Sequence, residues 1–595
     1  MSSGLLTEWS RLLLGTLART GVQHVVLSPG SRSTPFAWAA LKEEKLHCHS
    51  LWDERVAAFF ALGQARLTGR PSLLLCTSGT AAAHYFPALV EASLARVPLL
   101  VLTADRPFEL QHSAAPQTID QLKMFGDTAR AFFELGTPDA APSALAGVVR
   151  NVAHAAHRAC FPDPGPVHLN ARARKPLEPN APDDAASVAL RSAVNALLAQ
   201  GPSETAGATL HADVTRLARA CRDTPRGLII VGPHDAHHSG AAARILHLAA
   251  ITGYPLLCEG TSQLRFCADA EARALRIDAF EWLLQSGRLR ERLRPDLVLS
   301  FGTPPTSGAY ERFLSTFEGR RFVVAPHGFP DPHGLASELV SASSARAAKD
   351  ITSLLEQHEP SEPAQRASFR GAWAEANAAA WVAVECELAR KSDSLSEARA
   401  VRTVLDHLPE PSTLVLGNSL PIREVDAYVP CSARRVRVLS QRGANGIDGL
   451  ISGAAGAASL SRDPTLLLLG DVSFLHDVGG LAAARESLGP FVIVVIDNGG
   501  GRIFEQLPMF AQLAQEPELS RFWLTPPAAD LSHAAALFGH RYERIEHAAP
   551  IGAALSRAFA RTGTSILHIV VAASSARESE ARVRSDFEQS LGQSS

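Results

Sequence analysis

Three times along this 595-residue chain, short Leu-, Val- and Ile-rich runs alternate with longer Ala-rich amphipathic stretches. Parallel strands need a long crossover, usually an amphipathic helix, so the alternation dictates parallel sheets covered by helices. In the first third the predicted strands are 24–28, 46–51, 72–76 and 98–103, with a helix over 81–95. The pattern restarts at 227–231, 255–259, 296–302 and 321–325, and again at 413–416, 436–440, 465–469, 491–496 and 565–571. Residues 180–207 are rich in Ala, Pro, Asp and Ser and read as a linker with a short helix over 187–199. A second polar stretch, 341–394, reads as mostly helical, and everything from Ser574 onward as a frayed end. The expectation is an α/β protein of three domains, 1–182, 208–358 and 395–595, related by pattern and not by sequence identity.

Composition narrows the function classes. Hydrophobic residues make up 46% of the chain and charged residues 20%, enough apolar material for several buried cores and too much for a disordered protein. A formal net charge of −3 gives no basic field for nucleic acid or anionic lipid. None of the eight cysteines forms a C-x-x-C pair, which points away from zinc sites and disulfide frameworks. Glu8, Arg11 and Arg19 interrupt the first apolar stretch and spoil a signal peptide, and the run 491–496 is far too short to span a bilayer. These features predict a soluble, cytoplasmic protein that binds neither nucleic acid nor membrane.

Ligands of open parallel sheets bind beyond the C-terminal ends of strands. There the chain places Gly470-Asp471-Val472-Ser473 after one predicted strand and Asp497-Asn498-Gly499-Gly500-Gly501 after the next. Asp471 and Asn498 are 498 − 471 = 27 residues apart, the length of one βαβ unit, which puts both on the same rim. A carboxylate, an amide oxygen and a backbone carbonyl, here that of Gly500, are hard ligands suited to Mg²⁺, which takes its remaining ligands from phosphates and water. The helix start that follows offers N–H groups to a diphosphate. Either residue alone reads as an ordinary βα turn; the spacing of the pair is what points to a site.

This arrangement resembles the G-D-x…N diphosphate–metal motif of thiamine diphosphate enzymes. Other segments narrow the resemblance: Ser28-Pro-Gly-Ser31-Arg32-Ser33-Thr34-Pro35, Asp53-Glu54-Arg55, Thr77-Ser-Gly-Thr-Ala81, Leu102-Thr-Ala-Asp105-Arg106-Pro107 and Ala115-Pro-Gln117-Thr-Ile-Asp120-Gln121. Gly417-Asn-Ser419, Gln441-Arg442-Gly-Ala-Asn-Gly-Ile447-Asp-Gly449 and Gly501-Arg-Ile503-Phe504 extend it. Together they look like the 2-succinyl-5-enolpyruvyl-6-hydroxy-3-cyclohexene-1-carboxylate synthase family of menaquinone biosynthesis, with a match dense over 27–126 and 417–508 and thin in the middle third.

The resemblance implies the three-domain architecture of pyruvate-decarboxylase-like enzymes, thiamine diphosphate with Mg²⁺ or Mn²⁺, and a decarboxylating, Stetter-like transfer. In that reaction the succinyl portion of 2-oxoglutarate is added to isochorismate with loss of carbon dioxide. By the same match Glu54 hydrogen-bonds the aminopyrimidine, Ile447 wedges between the cofactor rings, and Ile503 and Phe504 wall the reacting centre. Asp471, Asn498 and Gly500 hold the metal, and Ser419 and Ser473 lie along the cofactor. Ser31, Arg32 and Arg106 face isochorismate; Ser419, Arg423 and Arg442 face the oxoglutarate-derived part; Gln117 bonds the intermediate. Four incoming substrate carboxylates suit the planar fork of arginine. The resemblance also implies a homodimer or homotetramer with active sites at the chain interface. Without it, Glu54 reads as a helix-start carboxylate, Ile447 as core, and each arginine as a surface ion-pair partner.

Some features depart from the family or compete with it. The family usually carries a lysine in a middle-third loop of G-x-x-P-x-S-K type; here Gly308 stands at that place, with Arg312 one turn on. Asp497 and Gly499 flank Asn498 where asparagines are common. His234, Asp235, His237 and His238 cluster in sequence but straddle a predicted helix start and read as a polar cap. The alternative reading is another thiamine-dependent 2-oxoacid decarboxylase or carboligase.

Overall fold

The computed structural model describes residues 4–203, 212–238, 240–267, 275–358, 364–513 and 515–593. Among these, eighteen strands form three six-stranded sheets in which every paired neighbour runs parallel. The first holds β1 (His24–Leu27), β2 (His47–Ser50), β3 (Ser72–Cys76), β4 (Leu99–Asp105), β5 (Ala131–Glu134) and β6 (Pro166–Arg172), in the order β2-β1-β3-β4-β6-β5. The second holds β7 (Gly227–Val231), β8 (Leu256–Cys258), β9 (Arg276–Ile277), β10 (Leu297–Phe301), β11 (Arg320–Ala325) and β12 (Glu338–Ser341), in the order β12-β11-β10-β7-β8-β9. The third holds β13 (Ser412–Leu416), β14 (Val436–Ser440), β15 (Thr465–Gly470), β16 (Pro490–Asp497), β17 (Arg541–Ile545) and β18 (Gly563–Val570), in the order β14-β13-β15-β16-β18-β17. The fold is therefore the predicted α/β class with three parallel sheets.

The first and third sheets share one strand order, and in both the order reverses at the sheet's first and third strands. Such a switch point opens a crevice at the carboxyl ends of those strands. The second sheet has the classic dinucleotide-fold order without a glycine fingerprint.

Contacts divide the chain into two compact units. One unit contains the first sheet together with Gln441–Arg462 and His476–Gly489; the other contains the second and third sheets.

Where prediction and structure differ, the causes are local. Unpredicted β5, β9, β12 and β17 are all edge strands, short or polar, and lack the continuous apolar run of a central strand. Unpredicted β6, one in from the edge, is wholly buried but half polar. The helix expected over 81–95 is a 3₁₀ turn, Ala82–Tyr85, followed by an α-helix, Phe86–Leu94, because Pro87 is tolerated only in a first turn. The short helix expected over 187–199 is present as Ala185–Gln200, but the stretch is not a bare linker, since its Leu190 and Val194 are buried in the N-terminal core. The tail is not frayed: Ser575–Gln593 is a helix, and Val583, Phe587 and Leu591, four residues apart, form a buried stripe within a polar sequence.

Candidate active site

In the N-terminal unit the loops after β1, β3 and β4 converge on a buried polar network. His168 Nε2 lies 2.8 Å from Thr103 Oγ1, which donates to Asn170 Oδ1 at 2.7 Å. Asn170 Nδ2 donates to Asp105 Oδ2 and Glu134 Oε2, at 3.0 and 2.8 Å. Asp105, fully buried, pairs with Arg172 at 2.9 Å and caps the backbone N–H of Arg106 at 2.7 Å. Gln121 ties a further loop in, donating to Asn170 Oδ1 and accepting from the Gly79 N–H at 3.1 Å.

This scaffold presents two guanidiniums. Arg32 is buried, with Nη1 donating to Ala173 O at 2.6 Å, and Arg106 Nη2 donates to Pro116 O at 2.7 Å. Burial pushes the Arg32 guanidinium below its usual range, and the neighbouring positive charge of Arg106 adds to the effect. The Nε atoms of both are buried without a partner. Two like charges with unpartnered donors are chemically suited to an anion. Gln117 sits beside Pro116 in the left-handed region (φ 51°), its Cα 3.4 Å from where a Gly79 Cβ would stand. A glutamine held there is strained backbone of the kind that collects at functional sites. Ser31 begins the exposed end of a 3₁₀ turn, Ser31–Ser33.

Glu54 is the first residue of the helix Glu54–Thr68, capped by Asp53, which accepts from the Arg55 N–H at 2.9 Å. The buried Cys76 and Tyr85 lie within its electrostatic reach, and burial pushes both their side chains up. This helix packs against Leu450–Ala458, the helix that follows Ile447. The approach is so close that a Cβ on Gly63 would lie 1.9 Å from Gly453 O. The segment carrying Arg442 and Ile447 is pinned by Glu91, whose carboxylate accepts from the Gly443 and Ala444 N–H groups at 2.9 and 2.6 Å and pairs with Arg66 at 2.9 Å. No sequence motif pointed to Glu91.

In the other unit Asp471 follows β15 directly and Asn498 follows β16, with Gly470 and Ile496 in register across the adjacent strands. Asp471 Oδ1 accepts from Val472 N at 2.8 Å and Oδ2 from Gly500 N at 2.7 Å. Gly500 (φ 127°) has no room for a side chain, since a Cβ would stand 2.2 Å from Leu524 O. Asn498 Nδ2 donates to Glu397 Oε2 at 2.9 Å, while Asn498 Oδ1 is buried without a partner. Burial, with the negative charge of Asp497 added, pushes the Asp471 carboxyl up to about 7. Asp497 bonds His568 Nε2 at 2.7 Å, and His568 Nδ1 lies 2.6 Å from the Tyr542 hydroxyl. An unpartnered amide oxygen beside a reluctant carboxylate fits a hard divalent cation that would supply the missing positive charge.

The remaining predicted residues are distributed around this unit. Ser473 is buried in the helix Asp471–His476. Ser419 (φ 75°) opens the helix Leu420–Tyr428 in a strained conformation, and its carbonyl accepts from Arg423 Nη1 at 2.8 Å. Burial pushes the Arg423 guanidinium down, opposed by Glu281, Asp426, Glu259 and Glu311, so its charge is already answered by protein carboxylates. Ile503 and Phe504 lie in the turn Arg502–Gln506, with the Phe504 ring edge-on to Trp523 at 5.6 Å. Arg312 Nη1 lies 3.7 Å from where a Cβ on Gly308 would stand, so a guanidinium covers the place of the missing lysine. His234 is spent on Gly232 O and Ser344 Oγ, at 3.0 and 2.9 Å. No helix among the described residues is long and apolar enough to cross a membrane.

Two family models match: the thiamine pyrophosphate enzyme N-terminal TPP-binding domain over residues 7–124 and its C-terminal TPP-binding domain over 427–569. A 2-succinyl-5-enolpyruvyl-6-hydroxy-3-cyclohexene-1-carboxylate synthase of Sorangium cellulosum is 43% identical, covering 98% of this chain and 96% of its own. The chain belongs to that synthase family. Synthases of Myxococcus xanthus (39% identical, 90% of each chain) and Oceanobacillus iheyensis (35%, 95% and 94%) agree. Among solved structures, benzoylformate decarboxylase from Polynucleobacter necessarius superposes with TM-score 0.70 at 17% identity, covering 95% of this chain and 98% of that one. A putative thiamin diphosphate-dependent enzyme from Mycobacterium smegmatis gives 0.67 at 18%, covering 94% and 98%. These two carry the fold alone. Membership makes this synthase-family chain a thiamine-diphosphate-dependent decarboxylating transferase.

Proposed function

We propose that this protein joins 2-oxoglutarate to isochorismate, releasing carbon dioxide and forming 2-succinyl-5-enolpyruvyl-6-hydroxy-3-cyclohexene-1-carboxylate, as a cytoplasmic homodimer or homotetramer. The observation that supports the reading is that one chain carries both buried guanidinium donors without a partner, at Arg32 and Arg106, and an oxygen set suited to a cation, at Asp471, Asn498 and Gly500. Thiamine diphosphate, when bound, supplies the electron sink that lets carbon dioxide leave. Asp471 and Asn498 would hold Mg²⁺ or Mn²⁺ through oxygen, with the Gly500 carbonyl as third protein ligand and the diphosphate completing the set. Ser419 and Ser473 would line the cofactor, and Ile447 would fix its shape.

Glu54 would hold a proton at the pyrimidine ring, the acid–base role open to a half-buried carboxyl at a helix start. Arg32 and Arg106, with Ser31, would receive the isochorismate carboxylates through their open Nε donors, and Gln117 would bond the reacting portion. Arg442 and Arg423 would receive the distal carboxylate of 2-oxoglutarate. Ile503 and Phe504 would exclude water while charge develops.

The direct assay mixes protein, thiamine diphosphate, Mg²⁺ and both substrates; isochorismate consumption must require 2-oxoglutarate and cofactor. Carbon dioxide release with isochorismate left intact would instead establish a different acceptor. The chain-interface site is tested by co-expressing Glu54→Gln with Asp471→Ala. If each site takes the two residues from different chains, half the dimers are mixed and each has one intact site. About one quarter of wild-type activity then returns. No recovery means both residues serve from one chain.

A further inference from the structure

We infer that Glu397 is a positioning residue for the divalent cation, holding the Asn498 amide so that Oδ1 is the atom offered to the metal. The inference rests on the cation site proposed above. An amide ligand has two nearly isosteric ends, and only the oxygen binds a hard cation. A carboxylate can accept but not donate, so Glu397 Oε2, 2.9 Å from Nδ2, selects the orientation that leaves Oδ1 free. Oδ1 is buried and has no protein partner, as a ligand atom awaiting its ion would be.

Glu397 is 2% exposed, and among the described residues its carboxyl bonds to Asn498 and to no basic side chain. Its surroundings are acidic, with Asp471 and the buried Glu424 within electrostatic reach. Burying a carboxyl among acids costs stability, so a purely structural account has little to recommend it. The backbone is fixed independently: the Glu397 N–H donates to Ser575 Oγ at 3.0 Å, and Ser396 caps the helix Glu397–Asp406. The two side-chain ligands are thus oriented from separate elements, Asp471 by the Gly500 N–H and Asn498 by Glu397. Outer partners of this kind are typically worth about 10–100-fold in metal affinity.

The test measures Mn²⁺ affinity by electron paramagnetic resonance of the free ion, with thiamine diphosphate present. Glu397→Met, similar in length but without an acceptor, should weaken Mn²⁺ binding by about 10–100-fold. Glu397→Gln keeps an acceptor oxygen and should stay within about threefold. A merely structural role would move the melting temperature of the metal-free protein and leave Mn²⁺ affinity alone. Asn498→Asp places two carboxyls face to face and should bind Mn²⁺ about tenfold more weakly. Combined with Glu397→Gln, which inverts donor and acceptor, it should recover. Wild-type affinity in Glu397→Met, or no recovery in the double variant where Glu397→Met does not fold, overturns the inference. Wild-type protein that binds no Mn²⁺ overturns the underlying cation site, a result seen without any variant.

Discussion

The loops after β1, β3 and β4 leave donors open, whereas the loops after β13, β15 and β16 leave an acceptor open. Both rims stand on sheets with the same strand order. In the first, neutral amides and a hydroxyl carry a chain of hydrogen bonds to Asp105, and the buried atoms without a partner include the Nε of Arg32 and of Arg106. In the second, Asp471, Asp497 and Glu397 crowd together, and the buried acceptors without a partner include Asn498 Oδ1. One strand order thus carries two rims of opposite chemical character, and the difference lies in which side chains their loops supply. Fold alone therefore does not assign chemistry to a rim.

Glu54→Gln gives the largest expected effect: turnover should fall by about 10²–10⁴ while Mn²⁺ and cofactor still bind, since acid–base assistance is lost and the cradle is untouched. Near-normal turnover would remove Glu54 from the chemistry. Asn498→Leu should separate the rims from the opposite side, weakening Mn²⁺ by about 100-fold or more, because a ligand atom is lost as well as its orientation. Affinity within a few fold of wild type would mean the open oxygen is not a ligand. Arg106→Ala should raise the KM for isochorismate about 10–100-fold, the worth of hydrogen bonds to a charged group. The slow release of carbon dioxide from 2-oxoglutarate alone should be unchanged. A loss of that release as well would mean the arginine does not discriminate between the two substrates.

The sequence was most legible where one short segment carries both fold and chemistry. The run Thr465–Gly470 carries four consecutive leucines, so strand, rim and Asp471 read off together. Edge strands β12 and β17 lacked that signal because a polar edge looks like a loop, and β5 because it is only four residues long. Glu397 could not be read, since its meaning lies in a hydrogen bond to a residue 101 positions away. The Ser-x-x-Arg start of its helix signals only a cap. Glu91 was hidden for the same reason: its partners Gly443 and Ala444 lie more than 350 positions on. Arg423 was legible as a guanidinium at a strand end, but besides Asp426 on its own helix the acids around it, Glu259, Glu281 and Glu311, come from three other segments, so its electrostatic setting was not.

The smallest effect is on stability, and it opposes two histidines of one unit to a buried acid of the other. In the N-terminal unit burial holds His168 down to about 3, and burial with the charges of His49 and His47 holds His24 to about 4, against an ordinary 6.5. Both rings are neutral in the native protein and take up protons on unfolding. The unfolded chain therefore binds more protons between about pH 6.5 and 4, and this contribution is present above 6.5 and lost as pH falls. In the other unit burial raises Asp426 to about 6 from an ordinary 3.8, opposed by Arg265. There the native state binds more protons, so the contribution is present below about 4 and declines as pH rises to 6. Hydrogen exchange at pH 5 and pH 7, corrected for intrinsic rates and read as wild type minus variant, resolves the two. Against His168→Gln, wild-type β4 and β6 should gain protection from pH 5 to 7; against Asp426→Asn, the helix Leu420–Tyr428 should lose it. Parallel slopes in the two units would mean that burial does not set these protonation states.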